Sequence, residues 1–447
     1  MIEYKTISGW GRTSPVRSGV VRGDERAVRE ALEAPGVAWA PRGMGRSYGD
    51  AAVNAGGGVL QLDGGRIEID ASTGRAVCTA DVTIDDLIAR AVPLGYFVPV
   101  TPGTRFVSLG GAVAADIHGK NHHRDGSIGE HVLEAQLLDG SGSALRLRPG
   151  TPEFDATVGG MGLTGLILEV TLQLTPIRSP RMSVDTHRVG SLVELMDRMR
   201  EKDMTHRYSV AWIDVMKRGR RMGRGVLTVG DHLPDDEPLV YQKPRVLPIG
   251  RLCPPINLLS RRSAAAFNEA WWRKAPKARL HEPQTIPKFF HPLDAIGDWN
   301  RLYGPRGFLQ HQFCIPDASE EILIEVVRAW SASGLPSSLN VLKRFGPGSG
   351  RPLSFPTAGW TLTVDVPVVR SGILSETLGR VDAMVLDAGG RHYLAKDAYL
   401  SPDHVRRGYP HLEEWRALRD TMDPEGRWSS DLGRRLGLIA PSAPVKG

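Results

Sequence analysis

Three glycine-rich segments restrict what this chain can fold into: PRGMGRSYGDA (Pro41 to Ala51), TPGTRFVSLGGAVAADIHGKNHH (Thr101 to His123) and VGGMGLTG (Val158 to Gly165). Glycine permits positive φ and close backbone approach to a ligand, but inside a helix or strand it costs roughly 0.5–1 kcal/mol relative to alanine. Runs of it therefore belong to loops laid against something. The first run is not a phosphate-binding loop of the Walker type, because no Gly-Lys-Ser/Thr follows. It is not the dinucleotide fingerprint either, since the spacing from Gly43 is GxGxxxG. What remains is a run of free backbone N–H groups flanked by Arg42 and Arg46, suited to pyrophosphate oxygens; an ordinary tight turn accounts for it equally well. In the second run Gly103, Gly110, Gly111 and Gly119 allow close approach, and Ala112, Ala114 and Ala115 leave room for something flat. Three separated runs in one domain point to a large dinucleotide threaded between sheets.

The surrounding text predicts an α+β unit. AVCTADV reads as a strand, TIDDLIARAVPLG as a capped amphipathic helix ending at Gly95, and HVLEAQLLDGSGSALRLRP as a hairpin about Asp139-Gly140. GLILEVTLQLTP alternates like a long half-buried strand and stops at Pro176. At 447 residues the chain exceeds one ordinary core. The expected division is 1–180, 181–390, and a segment 391–447 returning to the first domain. In the second part VGSLVELMDRMREKD is a helix by spacing. FLQHQFCIP puts Gln310 and Gln312 on one strand face, and WTLTVDVPV puts Thr361, Thr363 and Asp365 on another. Such a polar face either meets solvent or lines a cavity for a hydroxyl-rich ligand. Segment 231–280, rich in proline, arginine and apolar residues, reads as an irregular lid or an exposed loop, and its mixture would suit an anionic, lipid-like ligand.

The stretch Asp116 to Val132 carries four of the chain's thirteen histidines. His118, His122 and His123 have loose metal-ligand spacing but no nearby carboxylate or cysteine partner, so no metal site is expected there. His122, His123 and His131 are read as structural, bonding loop carbonyls. The three cysteines, Cys78, Cys253 and Cys314, are far apart and form no zinc or disulfide pattern. The formal net charge of +6 favours anionic ligands, but scattered arginines without interleaved aromatics argue against nucleic-acid binding. No signal peptide pattern opens the chain and no apolar run reaches the roughly 18 residues of a membrane span. A cytoplasmic protein is expected, with peripheral contact to the inner face of a membrane left open.

The three glycine runs, with GGMGLTGLILEVTL and DPEGRWSSDLGRRL, resemble the FAD domain of the vanillyl-alcohol-oxidase (PCMH-type) flavoprotein superfamily. DIHGKNHH, FHPLDAIGDWNRLYGPRGFLQHQF, VLKRFGPGSGRPLSFPTAGWTLTVD and YLAKDA are similar to the polyprenyl-phosphoryl-ribose 2′-oxidases within it. The resemblance implies a two-domain α+β flavoprotein, a PCMH-type FAD domain plus a substrate domain with an antiparallel sheet. It sets Arg42, Gly43, Met44, Gly45, Arg46, Ser47, Tyr48 and Gly49 around the FAD pyrophosphate. Gly103, Thr104, Ser108, Leu109, Gly110, Gly111, Ala115, Ile117 and His118 would line the dinucleotide and flavin, with Ile167 and Tyr393 completing the pocket. Many members attach FAD through a histidine in the first loop; Gly45-Arg46-Ser47-Tyr48 holds none, so noncovalent FAD is implied.

Oxidising a secondary alcohol needs a hydride acceptor, removal of the hydroxyl proton and positive charge near the reduced flavin. The resemblance assigns these tasks to Lys396, Lys343 and His118, and substrate contacts to Gln310, Gln312, Asn340, Lys343, Thr363 and Lys396. Thr363 stands where the family commonly has a cysteine that covalent inhibitors capture. The implied reaction is oxidation of the 2′-hydroxyl of a polyprenyl-phosphoryl-β-D-ribofuranose, with a separate NAD(P)H-dependent keto-reductase completing an epimerisation for cell-wall arabinan. A soluble sugar alcohol, aldonolactone or nucleoside sugar is the alternative substrate.

Overall fold

The computed structural model describes residues 2–252, 256, 257, 259–369 and 372–440. Two sheets share the N-terminal part. A four-stranded sheet runs in the order Glu3–Ile7, Val16–Gly23, Gly58–Leu62, Trp39–Pro41, antiparallel at its first pair and parallel thereafter. A five-stranded antiparallel sheet follows the order Ile67–Asp70, Arg75–Thr79, Leu166–Gln173, Val132–Leu138, Ala144–Leu147. The predicted hairpin is its last pair. The predicted capped helix is Ile84–Ala91, with the Thr83 hydroxyl accepting from the Asp86 N–H, and it ends through a short turn at Gly95, φ +83°.

An eight-stranded antiparallel sheet draws every strand from between Arg181 and His392. Its order is Ala278–Thr285, Arg181–Val189, Gly225–His232, Tyr208–Ile213, Asn340–Phe345, Gly359–Pro367, Phe308–Pro316, Arg391–His392. One face is apolar: Leu309, Phe313, Leu342, Leu362, Val364 and Val366 pack with residues of helices Leu192–Asp203, Glu321–Ser333 and Gly372–Asp387. The other face carries the polar residues picked out by period two. It does not meet bulk solvent, because Gln312, Thr361, Thr363 and Asp365 are all buried. The α+β expectation holds.

Segment 231–280 departs from the irregular reading. It contains a 14-residue helix, Arg261–Lys274, started by a capping box in which the Ser260 hydroxyl accepts from the Ser263 N–H. The alanine run Ala264 to Ala266 favours helix despite the prolines on either side. The helix is held down by Asn268, whose amide donates to Asp214 and the Ser337 carbonyl, and by Trp272 donating to the Val189 carbonyl. No described residue of 231–280 lines the cleft described below.

The chain then returns to its start. Ser429 N–H donates to the Trp39 carbonyl, Trp415 to the Ala156 carbonyl, and the Arg435 guanidinium to both oxygens of Asp50 and to Asp397. Arg419, almost fully buried, holds Asp423 and the carbonyls of Leu163 and Trp428. Because removing one partner of a buried pair strands the other, Arg419→Met should lower unfolding free energy by about 3–5 kcal/mol. Urea denaturation of the flavin-loaded protein measures it; a loss below about 1 kcal/mol would mean that the pair behaves as an exposed one.

Candidate functional site

A cleft of about 1830 Å³, counting the space open at its mouth, runs between the glycine loops and the polar face of the large sheet. Its wall runs from the glycine loops at one end to the polar sheet face at the other, which suits a dinucleotide with a substrate beside it. Along one end lie Arg42, Gly43, Met44, Gly45, Arg46, Ser47 and Tyr48. Gly45 needs its positive φ of +60°, and a Cβ on Gly43 would come 2.0 Å from the Ser108 hydroxyl, which caps helix Leu109–Ala114 by accepting from the Gly111 N–H. Gly103, Thr104, Ser108, Gly110, Gly111, Ala115 and Ile117 continue the wall, with Ile167 opposite.

The residues present fit a bound pyrophosphate. Arg42 donates to the carbonyls of Ala52 and Ser8, while Arg46 lies 3.9 Å over the Trp10 ring. Neither makes an ion pair among the described residues, and burial lowers the pKa of both, for Arg46 against the opposing pull of Asp294 and Asp298. Two partly desolvated cations facing a cleft favour an anion. Gly103 is exposed on this wall, and a Cβ there would meet no protein atom within 4 Å, so protein packing does not require glycine.

At the other end the large sheet presents Gln310, Gln312, Lys343 and Thr363, joined by His118, Tyr393 and Lys396. Register explains the gathering: Gln310 pairs with Asp365, Gln312 with Thr363, Val341 with Thr363 and Lys343 with Thr361, all on one face. Lys343 Nζ lies 2.9 Å from His118 Nδ1, and His118 Nε2 lies 2.9 Å from the Gln312 amide. Gln312 Nε2 also donates to the Thr361 hydroxyl, whose own hydrogen goes to the Phe313 carbonyl, so the amide N–H donates to His118 Nε2, and His118 Nδ1–H donates to Lys343 Nζ in its neutral form. Burial, followed by the charge of Lys343, drives the His118 pKa well below the usual imidazole value, so the ring is neutral. Burial brings Lys343 down to about 7, helped by Lys396. Lys396, 3.8 Å over the Tyr48 ring, is also brought down to about 7 by burial, against the pull of Asp365. Asp365 moves the other way, raised to about 7 by burial despite the hydrogen bond it accepts from Gln310 at 2.6 Å. The site thus holds a neutral imidazole and three groups that exchange protons near neutrality.

Three expected site residues do not line the cleft. Asn340 faces the other side of its strand, accepting from Ser337 at 2.5 Å and donating to the Ile213 carbonyl at 3.1 Å; Val341 and Lys343 take the cleft face. Leu109 is wholly buried in the core beneath its short helix. Gly49 serves packing: a Cβ there would fall 1.9 Å from the Asp397 carbonyl oxygen. Among the loop histidines, His123 and His131 do bond the carbonyls of His206 and Asp125, whereas His122 packs tilted against Phe345 with ring centroids 4.4 Å apart. Cys78 and Cys314 are free and buried, and Cys253 lies outside the described residues. Sequence reasoning missed Asp365 as a site group although it stood on the same alternating face. It also missed Leu293, Asp294 and Trp299, which wall the mouth from irregular turns. Gly43→Ala should displace Ser108 and lower the FAD-to-protein absorbance ratio of the purified protein by at least about ten-fold. Gly103→Ala should fold normally by circular dichroism and lose flavin only through contact with the ligand. Full flavin loading of both variants would remove the cofactor from this wall.

The comparisons with known proteins agree with this geometry. Residues 23–148 match the FAD binding domain family and residues 314–436 the D-arabinono-1,4-lactone oxidase family. The chain is 39% identical to decaprenylphosphoryl-β-D-ribose oxidase of Mycolicibacterium smegmatis, over 97% of this chain and 98% of that protein. It is 25% identical to the alditol oxidase of a Streptomyces species over 88% and 89% of the two chains. It is 29% identical to a probable L-gulonolactone oxidase of Arabidopsis thaliana over 25% and 20%. A two-lobed α+β fold, a cleft built for FAD and a full-length relative together show an FAD-dependent oxidoreductase, and the chain belongs to the decaprenylphosphoryl-β-D-ribose oxidase family.

Proposed function

We propose that the protein oxidises the 2′-hydroxyl of a polyprenyl-phosphoryl-β-D-ribofuranose to the 2′-keto sugar, the first half of an epimerisation toward an arabinose donor for cell-wall glycan. The observation that carries this reading is the buried polar face, Gln310, Gln312, Lys343 and Thr363, set against His118 and Lys396 at one end of the FAD cleft. Bound FAD supplies the acceptor for the hydride leaving the carbinol carbon. The protein's own groups do the rest. The glutamine amides and the Thr363 hydroxyl orient the sugar hydroxyls. Lys396, neutral above about pH 7, takes the hydroxyl proton, and Asp365 faces it as the next proton holder. His118, held by Lys343 and Gln312, fixes the sugar ring from the flavin side. No histidine lies in residues 41–51, which supports noncovalent FAD.

A lipid tail also has a surface to follow. Val240, Val246, Leu247, Ile249 and Ile256 are exposed, and the strip that includes Leu247 pairs with Ile296 beside the turns that wall the mouth. Among the described residues no helix is long and apolar enough to cross a membrane. The exposed strip supports peripheral contact at the cytoplasmic face and delivery of the keto sugar to an NAD(P)H-dependent reductase. A soluble alditol or aldonolactone is the second reading, supported by the match at residues 314–436.

Anaerobic addition of farnesylphosphoryl-β-D-ribofuranose should bleach the flavin absorbance, and acid should release the flavin. Bleaching by an alditol or aldonolactone, with none by the phospholipid sugar, would replace the first reading with the second. Because the Lys396 pKa is lowered, kcat/KM should rise with pH and level off above about 7. Lys396→Met should lower kcat about 10²–10⁴-fold; stopped-flow flavin reduction measures both, and a flat pH profile with unchanged rates would exclude Lys396 as the base.

A further inference from the structure

Behind the cleft, on the opposite face of the same strand, three histidines converge on one carboxylate. His311 Nε2 and His392 Nε2 each lie 2.8 Å from Asp382 Oδ1, and His404 Nε2 lies 3.6 Å from Oδ2. His311, Asp382 and His392 are almost completely buried, and the His404 side chain is about one-quarter exposed. Hydrogen bonding alone does not account for the group. His392 sits in the interior with neither ring nitrogen in hydrogen-bond geometry, although one is 2.8 Å from a carboxylate oxygen. Leaving such atoms unpaired is costly.

We propose that His311, Asp382 and His392 form a divalent transition-metal site of the zinc type, separate from the FAD cleft, with His404 beside it. One ring nitrogen from each of the two histidines and one Asp382 oxygen lie within 4.8 Å of one another. Two imidazoles and a carboxylate are a three-ligand set that zinc takes with a fourth position open. With bonds of roughly 2.0–2.2 Å, neighbouring ligand atoms of a tetrahedron lie about 3.4 Å apart, so the two nitrogen–oxygen separations of 2.8 Å would open by about 0.6 Å on binding. The outer contacts suit ligation as well. His404 Nδ1 is paired at 2.7 Å with the Ser401 hydroxyl, which turns Nε2 toward Asp382 Oδ2, and the Tyr399 hydroxyl donates to the Asp382 carboxylate. The partly exposed His404 borders the way in.

The three ligands come from strand Phe308–Pro316, helix Gly372–Asp387 and strand Arg391–His392, with His404 on helix Pro402–Gly408 beside them. A bound ion therefore clamps the segment that carries Tyr393 and Lys396 against the back of the strand that carries Gln310 and Gln312. It acts as a fastener and takes no part in the redox chemistry.

The test uses the untagged, flavin-loaded protein, dialysed against zinc chloride and then against metal-free buffer, with metal measured by mass spectrometry. One zinc per chain is expected, with a melting temperature that rises with zinc concentration and does not respond to magnesium, a hard cation preferring oxygen ligands. Cobalt(II) should add a tetrahedral absorption band to the red of the flavin. His404→Ala, beside the ligands, should weaken zinc binding about 10–100-fold while leaving the flavin bound, and His392→Leu should abolish it. No retained zinc in the folded holoenzyme, or equal retention by both variants, would overturn the site. These readouts need no sugar substrate, so failure of the site and failure of the proposed reaction remain distinguishable.

Discussion

The guanidinium of Arg435 is the contact on which the two ends of the molecule depend. It donates to both oxygens of Asp50, to Asp397 and to the Leu400 carbonyl, at 2.6 to 2.8 Å. Asp50 closes the first glycine loop, and Asp397 follows Lys396. The same two segments are zipped by the Tyr48 N–H donating to the Ala395 carbonyl and by the close passage of Gly49 beneath Asp397. Cofactor loop and proton-handling segment are thus one rigid piece, although residues from the entire second half of the chain intervene.

That rigidity allows an unfavourable arrangement to persist. Lys343 and Lys396 occupy a dry cleft that depresses both ammonium groups, while Asp365 is pushed toward its neutral form. Burying them costs stability; the core beneath the sheet, from Leu309 to Val366, offsets it. Neutral amines and a protonated carboxyl near pH 7 are poor surface groups and useful proton carriers.

Much of this was legible in the chain itself, because it depends on neighbours in sequence. The glycine loops, the Thr83 cap and the alternating faces of Phe308–Pro316 and Gly359–Pro367 are all written in local spacing. What was not legible depends on pairing at a distance. Alternation puts Asn340 and Lys343 on opposite faces of their strand, but only the register with Thr361 and Val364 says which of those faces meets the cleft. The helix at Arg261–Lys274 was hidden by the prolines and arginines around its serine cap. The convergence of His311, Asp382, His392 and His404 was invisible, since no two share an element. Thr363 is the clearest case of a legible departure: the structure lines the cleft with a hydroxyl there, and the cysteine next to this sheet face, Cys314, is fully buried and bonded to the Thr357 carbonyl.

The Arg435 contact has a consequence for biogenesis. Asp50 and Arg435 are 385 residues apart, so at about 5–20 residues per second a ribosome needs roughly 20 to 80 s to make the second after the first. Throughout that interval the flavin loop is synthesised but unpinned, and Trp39 waits for Trp428 in the same way. Cofactor capture in the cell is therefore tied to completion of the chain, and a prematurely terminated product would carry most of the flavin-contacting residues without the segment that holds them closed.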